Sequence, residues 1–341
     1  MPVVCSLNEM TGGALATRSL PFLHLHLLAA RSPQPVARSS QMPLHAWSSA
    51  SYVIPLPSGH RFPIEKYAML RNRVIAEGIV TPDRMHNPAR VERDDLLRVH
   101  TADYVDRFTN GRLEAAEVRR IGFPWSLQLV ERAYRAVGGT VEAAEASLVH
   151  GVAMNLAGGT HHAFAAHGEG FCVFNDVAIA IRRLQQMGRI RRAASIDLDV
   201  HQGNGTHAIF AGDDSVFTFS MHGARNFPFR KVAGSLDVEL DDGTTDDRYL
   251  DTLAAALPSV LERSSPHLVI YLAGADPLEG DRLGRLRVTE AGLARRDVIV
   301  LDACRDIGVP VAITIAGGYG ANIGDSVAAH VQTARIAATY T

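Results

Sequence analysis

Residues 193–203 read Ala193-Ala194-Ser195-Ile196-Asp197-Leu198-Asp199-Val200-His201-Gln202-Gly203. A short apolar run ends in two aspartates and a histidine at positions i, i+2 and i+4. An extended backbone turns alternate side chains to one face, so Asp197, Asp199 and His201 can converge. Two carboxylates and an imidazole held together repel, or cost desolvation, unless a cation neutralises them. The plain alternative for a bare Asp-x-Asp-x-His is a solvated loop with a capping aspartate.

The same grammar recurs outward from this stretch. Val152–Leu156, Val216–Ser220, His267–Ala273 and Val309–Ile315 also read as buried strands. Helical stretches lie between them, such as Pro124–His150, Val173–Met187, Thr245–Arg263 and Thr289–Ile307. Strands alternating with long helices imply parallel pairing through crossovers, hence an α/β fold whose sheet is covered on both faces. Each strand runs into an unusual polar segment. These are Gly158-Gly159-Thr160-His161-His162, the aspartate–histidine run itself, Ser220-Met221-His222-Gly223, Ala273-Gly274-Ala275-Asp276 and Ala316-Gly317-Gly318-Tyr319-Gly320. The carboxyl ends of parallel strands share one edge, which is where ligands bind. Segments far apart in the chain are thereby expected at one place.

Chemistry narrows the candidates. Asp276 adds a carboxylate after an almost wholly apolar strand. Asp199, His201 and Asp276 supply one imidazole and two carboxylates, three ligands that leave a fourth position open, as a catalytic zinc requires. His161 and His162 are adjacent, so a glycine-shaped turn is needed to bring both into one cavity. Beside a metal, histidine is the natural proton acceptor and donor; two surface or core histidines are the bland reading. Tyr319 among glycines is either a turn residue or a hydroxyl donor to a developing oxyanion.

Composition sets the limits. With 47% hydrophobic residues the 341-residue chain can bury a sizeable core. A formal net charge of -2, without a run of five like charges, argues against nucleic acid as a partner. Three scattered cysteines, Cys5, Cys172 and Cys304, offer neither a disulfide framework nor a thiolate metal site. They fit a reducing compartment, so a cytoplasmic protein is expected. No apolar stretch is long enough to span a bilayer. Between Glu9 and Glu65 there is no acidic residue, while arginines and serines are frequent. Residues 1–42 are expected to be a dispensable, disordered extension, with an organelle or export signal as the alternative. Residues 43–341 are expected to form one domain.

Together these segments resemble the histone deacetylase superfamily, whose fold is shared with arginase. The motifs that carry the likeness occur in family order: Gly-Gly-Thr-His161-His162-Ala, Gly170-Phe171-Cys172-Val173-Phe174-Asn175-Asp176, Asp197-Leu-Asp199-Val-His201-Gln-Gly-Asn204-Gly, Gly274-Ala-Asp276 and Gly317-Gly-Tyr319. Gln202-Gly203-Asn204, Asn226–Lys231 and Glu279–Gly284 look most like the class IV branch and its bacterial relatives. The resemblance implies a single-domain, three-layer arginase/deacetylase-like fold with a mainly parallel central sheet. It also implies hydrolysis of an acylated lysine.

The likeness assigns roles residue by residue. Asp199, His201 and Asp276 would hold one Zn²⁺ per chain. His162 would be the general base and acid, His161 its electrostatic partner, and Asp197 the acceptor that orients His161. Tyr319 would stabilise the oxyanion. Gly170, Phe171 and Phe227 would line the channel for the lysine stem. A structural K⁺ is implied at Asp197, Asp199, His201, Ser220 and a carbonyl of Met221. Asn204 departs from the aspartate that many members carry beside the second histidine; it can orient His162 but adds no charge. The class IV likeness further implies a preference for long fatty acyl groups. An acetylpolyamine or other small acylamine is the alternative substrate. A dinuclear manganese enzyme would need more ligands than these motifs offer, and a catalytically dead binding module would lack ligands that are all present here.

Overall fold

A computed structural model describes residues 43–341, and the expectation for the N-terminal extension lies outside the described residues. The strands are β1 (His45–Trp47), β2 (Met85–His86), β3 (Val152–Asn155), β4 (Ala193–Asp197), β5 (Val216–Gly223), β6 (Leu236–Leu240), β7 (Val269–Leu272) and β8 (Val311–Thr314). They form one eight-stranded sheet in the order β2-β1-β3-β8-β7-β4-β5-β6, and every pair is parallel. The expected α/β architecture is what the chain adopts.

The helices are α1 (Lys66–Ala76), α2 (Arg93–Leu96), α3 (Ala102–Thr109), α4 (Ala115–Ile121), α5 (Leu127–His150), α6 (Asp176–Gln186), α7 (Asn204–Ile209), α8 (Asp246–Ser264), α9 (Glu290–Asp306) and α10 (Ile323–Ala337). Strands β3, β4, β7 and β8 are buried at every position. That is why they read as unbroken apolar runs rather than alternating ones. All five strands read from sequence are present, within two residues of the expected limits at either end except for the longer C-terminal end of β5.

Two buried polar knots aim the sheet-edge loops. In the first, Asp176 at the start of α6 accepts from Gly159 N, Thr160 N, Thr160 Oγ1 and Thr140 Oγ1 at 2.6–2.9 Å. The neighbouring Asn175 caps α6 by accepting from Ala178 N, and its amide donates to Ala163 O. The loop after β3 is thus tied to α6 on both sides of His161 and His162. In the second, Arg296 of α9, only 1% exposed, donates through Nη1 to Gly274 O at 2.5 Å. Its charge is balanced by Asp297, which also accepts from Tyr271 and Thr333. A buried arginine is tolerated only with such pairing, and here the pairing fixes the loop that carries Asp276.

Candidate active site and metal centre

Asp197 is the last residue of β4, paired in register with Ser220 of β5 and Leu272 of β7. The chain then leaves the sheet, and Asp199 and His201 follow at its carboxyl edge. Asp276 lies just past β7. Ligand atoms of Asp199, His201 and Asp276 all fall within 4.8 Å of one another, and all three residues are buried. Among the described residues this is the one such group of metal-binding side chains.

Backbone amides aim the carboxylates. Asp199 Oδ1 accepts from His201 N at 2.9 Å and its Oδ2 from Gly317 N at 2.7 Å. Asp276 Oδ1 accepts from Val200 N at 2.9 Å. Asp276 Oδ2 is buried without a well-formed hydrogen bond, although His201 Nδ1 lies 3.2 Å away. No side chain fits at position 317: a Cβ on Gly317 would sit 1.9 Å from Asp276 Oδ2 and 2.6 Å from Asp199 Oδ2. A buried carboxylate oxygen left without a partner is costly, and a cation between the three ligand atoms removes that cost. The electrostatics agree. Burial disfavours a charged His201, but hydrogen bonds and charges from Asp199 and Asp276 overcome it and hold its pKa at about 10. Burial and the Asp199 charge push Asp276 up to about 7. With both carboxylates ionised the cluster carries net negative charge, and the donor set of two carboxylates and one imidazole fits zinc.

The two adjacent histidines reach the same cavity because Gly158 and Gly159 turn the chain with φ of 78° and 73°. Their rings stack 4.1 Å apart but differ in charge. His161 Nδ1 donates to Asp197 Oδ2 at 2.6 Å. Burial opposes its charge, but Asp197 and Asp199 hold its pKa at about 9. Burial, and then His161 and His201, push His162 well below the ordinary histidine value. One imidazole is therefore a fixed cation and the other a neutral base.

His162 Nδ1 donates to Asn204 Oδ1 at 2.8 Å, and Asn204 Nδ2 donates to Glu169 Oε1 at 2.7 Å. Glu169 was not singled out in the sequence; its signal is a charged residue between two glycines, Gly168 and Gly170, directly before Phe171. Its carboxylate accepts only, so it fixes which end of the Asn204 amide faces His162, and thereby leaves Nε2 of His162 free. Glu169→Ala should lower kcat roughly 10- to 100-fold, the scale for loss of a hydrogen-bonded outer partner. Glu169→Gln, which keeps an acceptor, should retain most of it. Steady-state rates of the two variants under identical metal loading check this.

Tyr319 faces the same cavity, its ring 6.5 Å from His201 and 6.0 Å from Phe171. Burial, with Asp199 and Asp276 nearby, raises its hydroxyl well above the usual phenol range, so it stays a donor. Its backbone is clamped: Tyr319 N donates to Asp281 Oδ2 at 2.5 Å, and Arg282 Nε donates to Tyr319 O at 3.0 Å. Lys66 of α1, also missed from sequence, is buried and places Nζ 3.4 and 3.3 Å from the carbonyls of Ala316 and Gly318. Phe171 and Ala316 both hold positive φ, 64° and 48°. Such strain in non-glycine residues costs of order 1–3 kcal/mol each and clusters at working sites.

Phe171 belongs to an aromatic wall with Phe62 and Phe123, ring centroids 5.4 and 5.2 Å away. Phe227 stands edge-on to His162 at 4.9 Å. Gly170 leaves the space between, since a Cβ there would meet His162 Cδ2 at 2.7 Å and Phe227 Cε1 at 3.1 Å. Every residue expected in the zinc, histidine, tyrosine and channel sets therefore lines this site or its mouth, or bonds directly to a residue that does. Of the residues implied for potassium, Ser220 Oγ pairs with His222 Nδ1 at 3.0 Å.

An all-parallel sheet with a buried aspartate–histidine centre at its carboxyl edge is the arginase/deacetylase architecture. Residues 60–334 match the family described as Histone deacetylase domain. The chain belongs to the histone deacetylase family, and so to the amide hydrolases. It is 33% identical to histone deacetylase 2 of Arabidopsis thaliana over 269 residues, covering 76% of this chain and 70% of that protein. It is 48% identical to an uncharacterized protein of Picosynechococcus over 279 residues, covering 82% and 93%. The crystal structure of a histone deacetylase homolog from Aquifex aeolicus shares the fold, with a TM-score of 0.77 at 24% identity over 88% of this chain and 85% of that one. The homolog complexed with SAHA gives the same values. No helix among the described residues is long and apolar enough to cross a membrane.

Proposed function

We propose that the protein is a zinc-dependent lysine deacylase, with Asp199, His201 and Asp276 holding one Zn²⁺ per chain. The observation that carries this reading is the convergence, in one cavity, of three buried ligand atoms, a neutral histidine and a protonated tyrosine. When bound, the ion supplies Lewis acidity to the scissile carbonyl and to water. His162 Nε2 takes the proton of the attacking water as its oxygen bonds to the carbonyl carbon. The tetrahedral oxyanion accepts from the Tyr319 hydroxyl. His162 then returns the proton to the amine nitrogen as the C–N bond breaks, and the acid and amine so formed exchange the remaining water proton to leave as carboxylate and ammonium. His161 stays charged against Asp197 throughout and stabilises the developing negative charge. Gly170, Phe171 and Phe227 form the slot for the lysine methylenes. Asp197 and Ser220 lie opposite each other on β4 and β5, which supports a K⁺ between these strands, with Asp199, His201 and the Met221 carbonyl completing it.

The cavity that holds the site runs past His162 and Tyr319 to Leu129, Ala133, Val137 and Cys172, and its whole volume is about 80 Å³. That is near half of the ~150 Å³ apolar cavity that takes up benzene. It fits acetyl and short acyl groups, and a dodecanoyl chain would require it to open. The cavity as it stands favours a short-chain deacylase, and the fatty-acyl preference implied by the class IV likeness requires this cavity to widen. The experiment is kcat/KM on lysine peptides bearing acyl chains from acetyl to dodecanoyl, with SAHA as inhibitor. A rate falling with chain length and blocked by SAHA supports it. Faster removal of dodecanoyl overturns the chain-length reading, and no hydrolysis of any peptide overturns the deacylase itself.

A further inference from the structure

Above Tyr319 the site opens into a mouth of about 750 Å³ whose floor is His162, His201 and Tyr319. Five arginines line it, Arg61, Arg120, Arg225, Arg282 and Arg285, against a single carboxylate, Glu169. The chain as a whole carries -2, so this is a local excess rather than general basicity. Little of it is neutralised. Arg285 lies 3.1 Å and Arg225 3.9 Å from the same Asp242 oxygen, and such exposed pairs contribute little. Arg282 spends Nε on a neutral carbonyl. Arg61 and Arg120 are exposed, and no described residue forms an ion pair with their guanidinium groups.

Five guanidinium groups around a concave opening, against Glu169 in the lining and Asp242 and Glu117 behind Arg225, Arg285 and Arg120, leave a net positive field focused onto whatever enters. We propose that this rim selects acylated amines that carry carboxylates close to the acylated nitrogen. Such a substrate is an acyl-lysine flanked by Asp or Glu in a peptide, or a small acylamine bearing its own carboxylate. The proposal rests on the deacylase reading above. Guanidinium groups pair with carboxylates in a bidentate fork, so anionic flanks gain contacts as well as field. Acylated polyamines and lysines in basic tails meet five like charges and are repelled, which disfavours the polyamine alternative.

The test uses the zinc-loaded full chain and three acetyl-lysine peptides identical except for flanking Glu, Gln or Lys. Free Nε-acetyl-lysine and a mono-acetylated diamine complete the series, read at low salt and at about 0.5 M NaCl, where screening is strong. The expected order of kcat/KM is Glu over Gln over Lys, spanning tenfold or more at low salt and residing mainly in KM. The span should shrink at high salt and in the double variant Arg61→Gln, Arg120→Gln. Nε-acetyl-lysine outrunning the Glu-flanked peptide would support the small-molecule source of the same chemistry. Equal rates on the three peptides, or preference for the Lys-flanked peptide or the diamine, overturns the proposal. Binding of the same peptides by fluorescence anisotropy runs in parallel. If nothing is hydrolysed, the deacylase reading falls, and the affinity order alone decides for or against the rim.

Discussion

Asp276→Asn should abolish zinc binding and lower turnover by about a thousandfold or more, while the metal-free protein melts no lower than wild type. The two halves of this result have different causes. A bound ion contributes several kcal/mol of charge stabilisation in the transition state, and each 1.36 kcal/mol is a factor of ten in rate. Stability moves the other way. In the metal-free fold, burial and Asp199 raise the Asp276 carboxyl from its ordinary 3.8 to about 7. A carboxyl whose pKa is raised by folding binds more protons folded than unfolded between those two values, so stability falls as pH rises through that window. At pH 8 the ionised side chain is a burden on the metal-free protein, and an amide of the same shape relieves it. Metal analysis with thermal melts at pH 5 and pH 8 checks both halves. Wild-type should lose stability between these pH values more steeply than Asp276→Asn. Full zinc content in the variant would place the ion elsewhere.

Tyr319→Phe should keep the fold and the metal but lose roughly 10²–10³ in kcat, the scale for removing one oxyanion donor. The ring contributes packing against Phe171 and Phe62, at 6.0 and 6.5 Å, and phenylalanine preserves that packing. The hydroxyl is the only atom lost. Because the backbone of residue 319 is held by Asp281 and Arg282, the loop should not relax to compensate. KM should change little, since the donor is used after binding. Wild-type turnover would remove the tyrosine from the reaction.

The central strands were legible because burial on both faces produces unbroken apolar runs, and the polar residues that end them stand out by contrast. The edge strands gave no such signal. β1 has three residues and β2 two, while β6 is half-exposed along most of its length. Within the site, Asp197, Asp199 and His201 were legible as polar residues closing an apolar run, although only Asp197 lies in the strand and the chain bends after it, so the expected extended alternation does not carry the other two. Glu169 and Lys66 were not. Their meaning depends on partners 35 and 252 residues away, Asn204 and Gly318, and no local pattern encodes such a pairing. The rim arginines were invisible for a related reason: scattered from residue 61 to residue 285, they never form a run, and only the fold gathers them.

The bond from Gly317 N to Asp199 Oδ2 joins residues 118 apart in the chain, and the one from Val200 N to Asp276 spans 76. These contacts exist only once β4, β7 and β8 lie side by side. Closing loops of that length is entropically expensive and slow, so an ion cannot nucleate this fold as it nucleates a zinc finger. It can bind only after the middle of the sheet has been assembled. What it then contributes is a bonus to finished molecules, by mass action on the native state alone. During refolding, metal uptake should trail the appearance of secondary structure and coincide with the last step of tertiary closure.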